Sequence, residues 1–321
     1  MKPGLSGSTV LVTGAYGFLG QGLVAALLDA GASVAAVGRD AGKARERLGE
    51  RRGLRFIAGD VNEPLAYDGP ADFVVHAASA AAPKRFGVDP VGVLSPNVFG
   101  TRNLLELARA RKTRKFLFVS SAEVYGVVPE SRQPILESEP GGVDPTALRS
   151  CYAESKRMGE ALCAAWHRQH GVPAVIGRLF HTYGPGMDPD DGRVFADFTA
   201  DAVAGRAITV KGDGLDRRAF CHRDDAVAGL LTLLERGVPG EAYNVANDEA
   251  ECGVLELAER IQRLFPKRVP GVIKAPRPAG PAFAASPVRR SLPSTAKLRA
   301  LGWAPRIGLD EGFRRTVESY L

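Results

Sequence analysis

Gly14, Gly17 and Gly20 stand at three-residue intervals between a short apolar run and a longer one. Thr9-Val10-Leu11-Val12 reads as a buried strand, and the residues through Ala30 read as an apolar helix. A chain with this pattern must leave a strand and enter a helix within a few residues. Its turn needs a residue without Cβ clashes, its backbone can approach a pyrophosphate closely, and the helix can pack on the strand. The first N–H groups of the helix then face the phosphates. A plain strand–helix turn is the alternative, but the strand before and helix after favour a dinucleotide site. Gly14, Tyr16, Gly17, Phe18, Leu19 and Gly20 are its candidate cofactor residues.

The next strand, Ser33 to Val37, ends in Gly38-Arg39-Asp40. An acid at this strand end binds the ribose 2′-hydroxyl of NAD. Gly38 takes that place here, and Arg39 beside it suits a 2′-phosphate. The reading is NAD or NADP, with NADP favoured. The alternatives are that Arg39, Lys43 and Arg45 are solvated helix charges, or that Asp40 reaches the ribose.

Further strands are expected at Leu54–Ala58, Phe73–His76, Phe116–Ser120 and Ala174–Arg178, with helices near Val98–Ala110 and Ser150–His170. This alternation predicts an α/β fold, a doubly wound parallel (Rossmann) sheet with a smaller C-terminal substrate-binding region. Residues 1–180 would form the nucleotide-binding domain. Residues 181–321 would form the substrate-binding region, with a returning sheet strand near 208–250. Pro266 to Pro293 is rich in proline and reads as a loop that wraps a substrate.

The 321 residues are 45% hydrophobic, enough for a substantial core, and carry a net charge of +6. The one basic run, Arg111-Lys112-Thr113-Arg114-Lys115, reads as a solvated helix end, so no nucleic-acid partner is expected. No long apolar run or signal peptide is visible, so no membrane insertion is expected. Cys151, Cys163, Cys221 and Cys252 lack metal-ligand spacing, and His167 and His170 have no third ligand. The expectation is no metal site and a reduced, cytoplasmic setting.

Tyr152-Ala153-Glu154-Ser155-Lys156 places a phenol and an ammonium one helical turn apart on one face. A phenol has a pKa of about ten, which a nearby ammonium lowers. Such a pair can take a proton from a sugar hydroxyl while hydride leaves the same carbon. The spacing alone is common, but downstream of the glycine loop it is specific.

With Ser121, Tyr152 and Lys156 in place, the chain resembles the extended short-chain dehydrogenase/reductases, and within them the nucleotide-sugar epimerases, dehydratases and decarboxylases. Gly59-Asp60-Val61, His76-Ala77-Ala78-Ser79, Asn97-Val98-Phe99-Gly100-Thr101, Ser120 to Gly126 and Tyr183-Gly184-Pro185 carry the likeness. Asp191-Gly192-Arg193-Val194, Arg218-Ala219-Phe220 and Leu301-Gly302-Trp303 extend it through most of the chain.

The resemblance implies roles. Ser121 would hydrogen-bond the sugar's 4-hydroxyl, Tyr152 would be the base, and Lys156 would tune it and hold the nicotinamide ribose. Asp60 and Val61 would flank the adenine. Ala77, Ala78, Ser79 and Asn97 would complete the cofactor set. Ser121, Ala122, Tyr152, His181, Arg193, Arg218 and Arg290 would contact a nucleotide-diphosphate sugar, with Arg193 and Arg218 on its diphosphate. A surface ion pair is the alternative for each of those two arginines, and a turn residue for Asp60. His181 replaces the family's usual Asn, as a substitute donor, an acid–base group or a buried structural histidine. Tyr125 reads as a substrate-wall aromatic rather than a second base. The family also implies a homodimer through the helices Val98–Ala110 and Ser150–His170, whose apolar Leu104, Leu105, Leu107 and Ala108 permit it.

Oxidation at carbon 4 gives a ketone whose fate depends on nearby groups. Dehydratases carry an Asp-Glu pair where this chain has Ala122-Glu123, and alanine cannot donate a proton. Simple 4-epimerases usually lack a charge at Glu123. Glu123 without the acid resembles the UDP-glucuronate decarboxylases, so decarboxylation of a nucleotide-linked uronic acid is the leading expectation. A 4-epimerase and an NADPH-dependent 4-ketosugar reductase are the alternatives. A non-catalytic NADP-binding regulator is disfavoured, because Ser121, Tyr152 and Lys156 are all kept.

Overall fold

A computed structural model describes residues 4–276 and 287–321. Seven parallel strands form the central sheet: β1 Thr9–Thr13, β2 Ser33–Gly38, β3 Leu54–Ala58, β4 Phe73–His76, β5 Lys115–Ser121, β6 Ala174–Leu179 and an edge strand, Ala242–Val245. Their spatial order is edge strand, β6, β5, β4, β1, β2, β3. The winding direction therefore reverses between β1 and β4, which pair Val10 with Phe73 and Thr13 with His76. The loops leaving these two strands diverge, and the crevice they open is where such sheets bind ligands.

The middle strands are unbroken apolar runs because helices cover both faces of the sheet. On one face α1 (Phe18–Asp29) packs with the helix Arg223–Arg236, burying Leu23, Leu27, Leu230 and Leu233. On the other, α4 (Thr101–Ala110) and α5 (Ser150–His170) bury Leu104, Leu105, Ala108 and Cys163. Two shorter helices, α2 (Ala41–Leu48) and α3 (Pro90–Ser95), complete the first half. The helix expected from Val98 begins at Thr101, because Pro96–Gly100 forms a wider π-turn.

A second layer gathers Tyr183, Phe195, Phe198, Phe220, Leu257 and Phe313 from the later helices and short strands. Tyr183 and Phe313 stack at its centre, with ring centroids 4.1 Å apart. The edge strand and the helix Arg223–Arg236 return from this half to the central sheet. The segment expected to be loop, Pro266 to Pro293, contains two short strands. Val272–Ala275 pairs with Ile208–Lys211, and Arg290–Ser291 pairs with Arg217–Ala219. Residues 277–286 of that span lie outside the described residues.

Candidate active site

The crevice deepens into a cavity of about 340 Å³ at the carboxyl ends of β1, β4, β5 and β6. Tyr152 and Lys156 enter it from α5, and Ser121, Ala122 and Glu123 from the end of β5. Lys156 is buried, with its Nζ donating to the Val119 carbonyl at 2.7 Å and lying 4.9 Å from the centroid of the Phe118 ring. Desolvation pulls its pKa down to about 7 against the opposing pull of Glu160. The same nitrogen is 5.8 Å from the Tyr152 ring centroid.

The expectation that Lys156 lowers the Tyr152 pKa is corrected. Burial raises the phenol above its ordinary value, while Arg193 and the Ser121 and Ser79 hydroxyls pull it back. The lysine loses much of its own charge to desolvation, which weakens it as an electrostatic partner. Ser121 Oγ accepts from the Glu123 amide at 3.3 Å. The Glu123 carboxylate is 3.3 Å from Arg149 Nη2, a residue that the sequence reading missed. Its sequence signal was its place one helical turn before Tyr152.

The other end of the cavity is built from the glycine loop. Gly14 has a φ of +67°, and a Cβ there would meet the Ala77 carbonyl oxygen at 2.7 Å. A Cβ on Gly20 would lie 2.0 Å from the Gly14 carbonyl, so helix and turn approach as only glycine allows. No side chain caps α1, and no acid occupies its first turn. Gly14, Gly17, Phe18 and Leu19 face the cavity at that helix start. Ala77 and Ser79 continue the wall. Uncapped N–H groups and a glycine cradle fit a dinucleotide pyrophosphate and its attached ring.

Tyr16 lies beyond this wall, with its ring against Gly38, where a Cβ would come within 2.1 Å of Cε1. Arg39 is largely exposed and 3.9 Å from Asp60. Asp40 caps α2 by accepting from the Lys43 amide at 3.0 Å. Asp60 accepts from the Asn62 amide in a turn, and Val61 packs into the core beside Ala78. Asn97 is buried away from the cavity and donates to Ser155 Oγ at 3.0 Å.

A profile of the NAD dependent epimerase/dehydratase family matches residues 10–246. The chain belongs to this family. It is 36% identical to UDP-glucuronic acid decarboxylase 6 of Arabidopsis thaliana, over 98% of this chain and 89% of that one. Among solved structures, the epimerase Mth375 of Methanothermobacter thermautotrophicus superposes with a TM-score of 0.86 at 27% identity, covering 98% of this chain and 93% of that chain. RMD of Pseudomonas aeruginosa, complexed with NADPH, gives 0.77 at 30% identity and covers 97% of this chain and 98% of that chain. The chain is thus a nucleotide-sugar-modifying enzyme of this family with a nicotinamide cofactor.

Within this epimerase/dehydratase-family enzyme, His181 and Arg193 line the cavity. Arg193 is held by Asp191 at 3.0 Å and by the Ala81 carbonyl at 2.8 Å. Desolvation and the Arg218 and Arg193 guanidinia push His181 well below the usual histidine range, so its imidazole is neutral. That removes an imidazolium acid near neutral pH and leaves a neutral donor or acceptor.

Arg218 and Arg290, both expected on the substrate, are placed off the cavity wall. Arg218 turns inward and donates to the Val288 and Arg289 carbonyls at 2.6 and 3.0 Å. Arg290 forks Glu251 at 2.6 and 3.0 Å. Tyr125 is corrected as well: it is 1% exposed, and its hydroxyl donates to Asn244 at 2.7 Å, so it forms no substrate wall. Among the described residues no cluster of His, Cys, Asp and Glu is arranged to hold a metal. No described helix is long and apolar enough to cross a membrane.

Proposed function

We infer that this enzyme oxidises carbon 4 of a UDP-linked uronic acid and releases the carbon 6 carboxylate as CO2. The observation that carries this reading is the adjacency of Ala122 and Glu123 on the cavity wall. A dehydration needs a proton donor at the first position, and alanine is none. The likeness to UDP-glucuronic acid decarboxylase 6 of Arabidopsis thaliana supports the same choice.

A nicotinamide cofactor held by the Gly14–Gly20 loop would supply a reversible hydride acceptor at carbon 4. Tyr152 takes the proton of the 4-hydroxyl, and Ser121 holds that oxygen by a hydrogen bond. The 4-ketone accepts the electron pair of the breaking C5–C6 bond as an enolate. Protonation at carbon 5 and reduction of the ketone leave a pentose, so the cycle is redox-neutral. Lys156, anchored on Val119, fixes the base face of α5. Arg193 faces the substrate's charged side, suited to a diphosphate.

Arg39 supports NADP as the nicotinamide cofactor: its guanidinium is exposed beyond the β2 end, while Asp40 is committed to its helix cap. A cofactor held through the cycle fits either dinucleotide. Phe99 and Met158 are 56% and 49% exposed on the α4 and α5 side, which supports a homodimer through that face. Leu104, Leu105 and Ala108 do not serve it, because they are buried against the sheet. A cytoplasmic setting fits four cysteines that form no disulfide.

Incubation with UDP-glucuronate, followed by mass spectrometry, tests the reading. Loss of one CO2 per sugar supports it. Unchanged mass with altered retention marks an epimerase, and unreacted UDP-glucuronate beside a 4-ketosugar nucleotide that gains two hydrogens with NADPH marks a reductase; either overturns it.

A further inference from the structure

Arg149 has no part in the steps above, yet it stands at the chemical end of the cavity. It immediately precedes α5. Its Nη2 is 3.3 Å from Glu123 Oε1, and its guanidinium lies over the Phe86 ring at 5.7 Å. Phe86 in turn stacks on Tyr152. One aromatic plate therefore locates both the base and the cation. Arg193, the other arginine on the wall, is tied to Asp191 and Ala81.

Glu123 would by itself oppose an anionic sugar. A sugar whose 4-hydroxyl meets Tyr152 and Ser121 carries its carboxylate two carbons further on, in a cavity whose wall also holds Ala122, Glu123 and Arg149. Two carboxylates in a half-buried pocket repel. A guanidinium presents five N–H donors in one plane, which is enough to serve two carboxylates together.

We propose that Arg149 selects carboxylate-bearing sugars by bridging Glu123 and the carbon 6 carboxylate. This deepens the uronic-acid reading and rests on it. Shared between Glu123 and the sugar, Arg149 binds the carboxylate without neutralising it fully, which leaves the C5–C6 electron pair free to move toward the ketone as CO2 departs. Arg149 neither gives nor takes a proton in this step.

The test is the affinity ratio between UDP-glucuronate and UDP-glucose, measured by calorimetry on cofactor-loaded protein in a Tyr152→Phe background, whose slowed turnover lets binding be read. Arg149→Gln is expected to cut the preference for UDP-glucuronate by about tenfold or more. Arg149→Lys, with charge but no fork, is expected to keep an intermediate preference. Adding Glu123→Gln to Arg149→Gln is expected to restore part of it by removing the repulsion. A fold defect weakens both ligands alike, so the ratio is read with UDP-glucose affinity and melting temperature at their parental values, and from Arg149→Lys where Arg149→Gln fails that. If the otherwise wild-type enzyme releases CO2 from UDP-glucuronate and the variant keeps the parental ratio with UDP-glucose affinity intact, Arg149 is not the selector, while the uronic-acid reading stands. If the wild-type enzyme neither releases CO2 nor prefers UDP-glucuronate, the uronic-acid reading falls and this proposal with it.

Discussion

Phe86 stacks on Tyr152 with ring centroids 5.1 Å apart and planes 15° apart. The contact joins a loop after β4 to the first turn of α5, and it fixes the direction of a phenol that a helix alone leaves free to rotate. Both rings are buried. Phe86→Ala is therefore expected to lower kcat more than it raises KM, because the base loses its aim rather than the substrate its contacts. Steady-state kinetics with UDP-glucuronate check this; a rise in KM alone would show that Phe86 only shapes the pocket.

Tyr152→Phe keeps the ring stack and removes the hydroxyl. Turnover is expected to fall by about 10²–10⁴-fold with the melting temperature nearly unchanged. Activity within a few-fold of wild type would remove Tyr152 from the role of base.

Lys156 gives a stability prediction with a definite sign. Its folded pKa, about 7, lies below the ordinary lysine value. Between the two the unfolded chain binds more protons than the folded one, so this residue's contribution to stability rises with pH. Cofactor-free wild type should gain on Lys156→Met from pH 7 upward, at up to about 1.4 kcal/mol per pH unit. Below pH 7 both forms hold the lysine proton and the difference levels out. Urea midpoints of the two proteins from pH 6 to pH 9 read it directly, and a flat difference would mean that Lys156 titrates normally.

Glu160 and Arg178 form a largely shielded bidentate pair, with contacts at 2.9 and 2.7 Å and both side chains 12% exposed. Ser120 Oγ adds a hydrogen bond to the same carboxylate at 2.6 Å. Glu160→Gln leaves the guanidinium under-compensated, with an expected cost of about 2–4 kcal/mol, between the surface and fully buried cases. Chemical denaturation measures it; a cost below about 1 kcal/mol would mean that water reaches the pair as it does at a surface.

Arg39→Ala tests the cofactor choice. NADP affinity is expected to fall by about tenfold, and NAD affinity to change little. Equal effects on both, or none, would return Arg39 to an ordinary surface charge.

Much of the sheet was legible in the chain because its signals are local. Strand Leu54–Ala58, strand Phe73–His76 and helix Ser150–His170 occupy the spans that their apolar patterns mark. The wider turn at Pro96–Gly100 was not legible, since proline removes a donor without announcing which neighbour compensates. Tyr125 was misread for a different reason. It sits near site motifs in sequence, but Asn244, 119 residues away, supplies the partner that turns it away from the cavity. The Val288 carbonyl that holds Arg218 lies 70 residues on and was equally invisible. Arg149 went unread because Glu123, 26 residues earlier, is what draws it to the wall.

By itself, then, the sequence determined the glycine turn, the alternation of strands and helices, and the one-turn spacing of Tyr152 and Lys156. These rest on backbone sterics and periodicity, which act over a few residues. Only the tertiary structure decided that burial raises Tyr152 and lowers Lys156, and which arginines reach the cavity. Desolvation and charge pairing depend on what packs around a group, and here the packing partners come from distant parts of the chain.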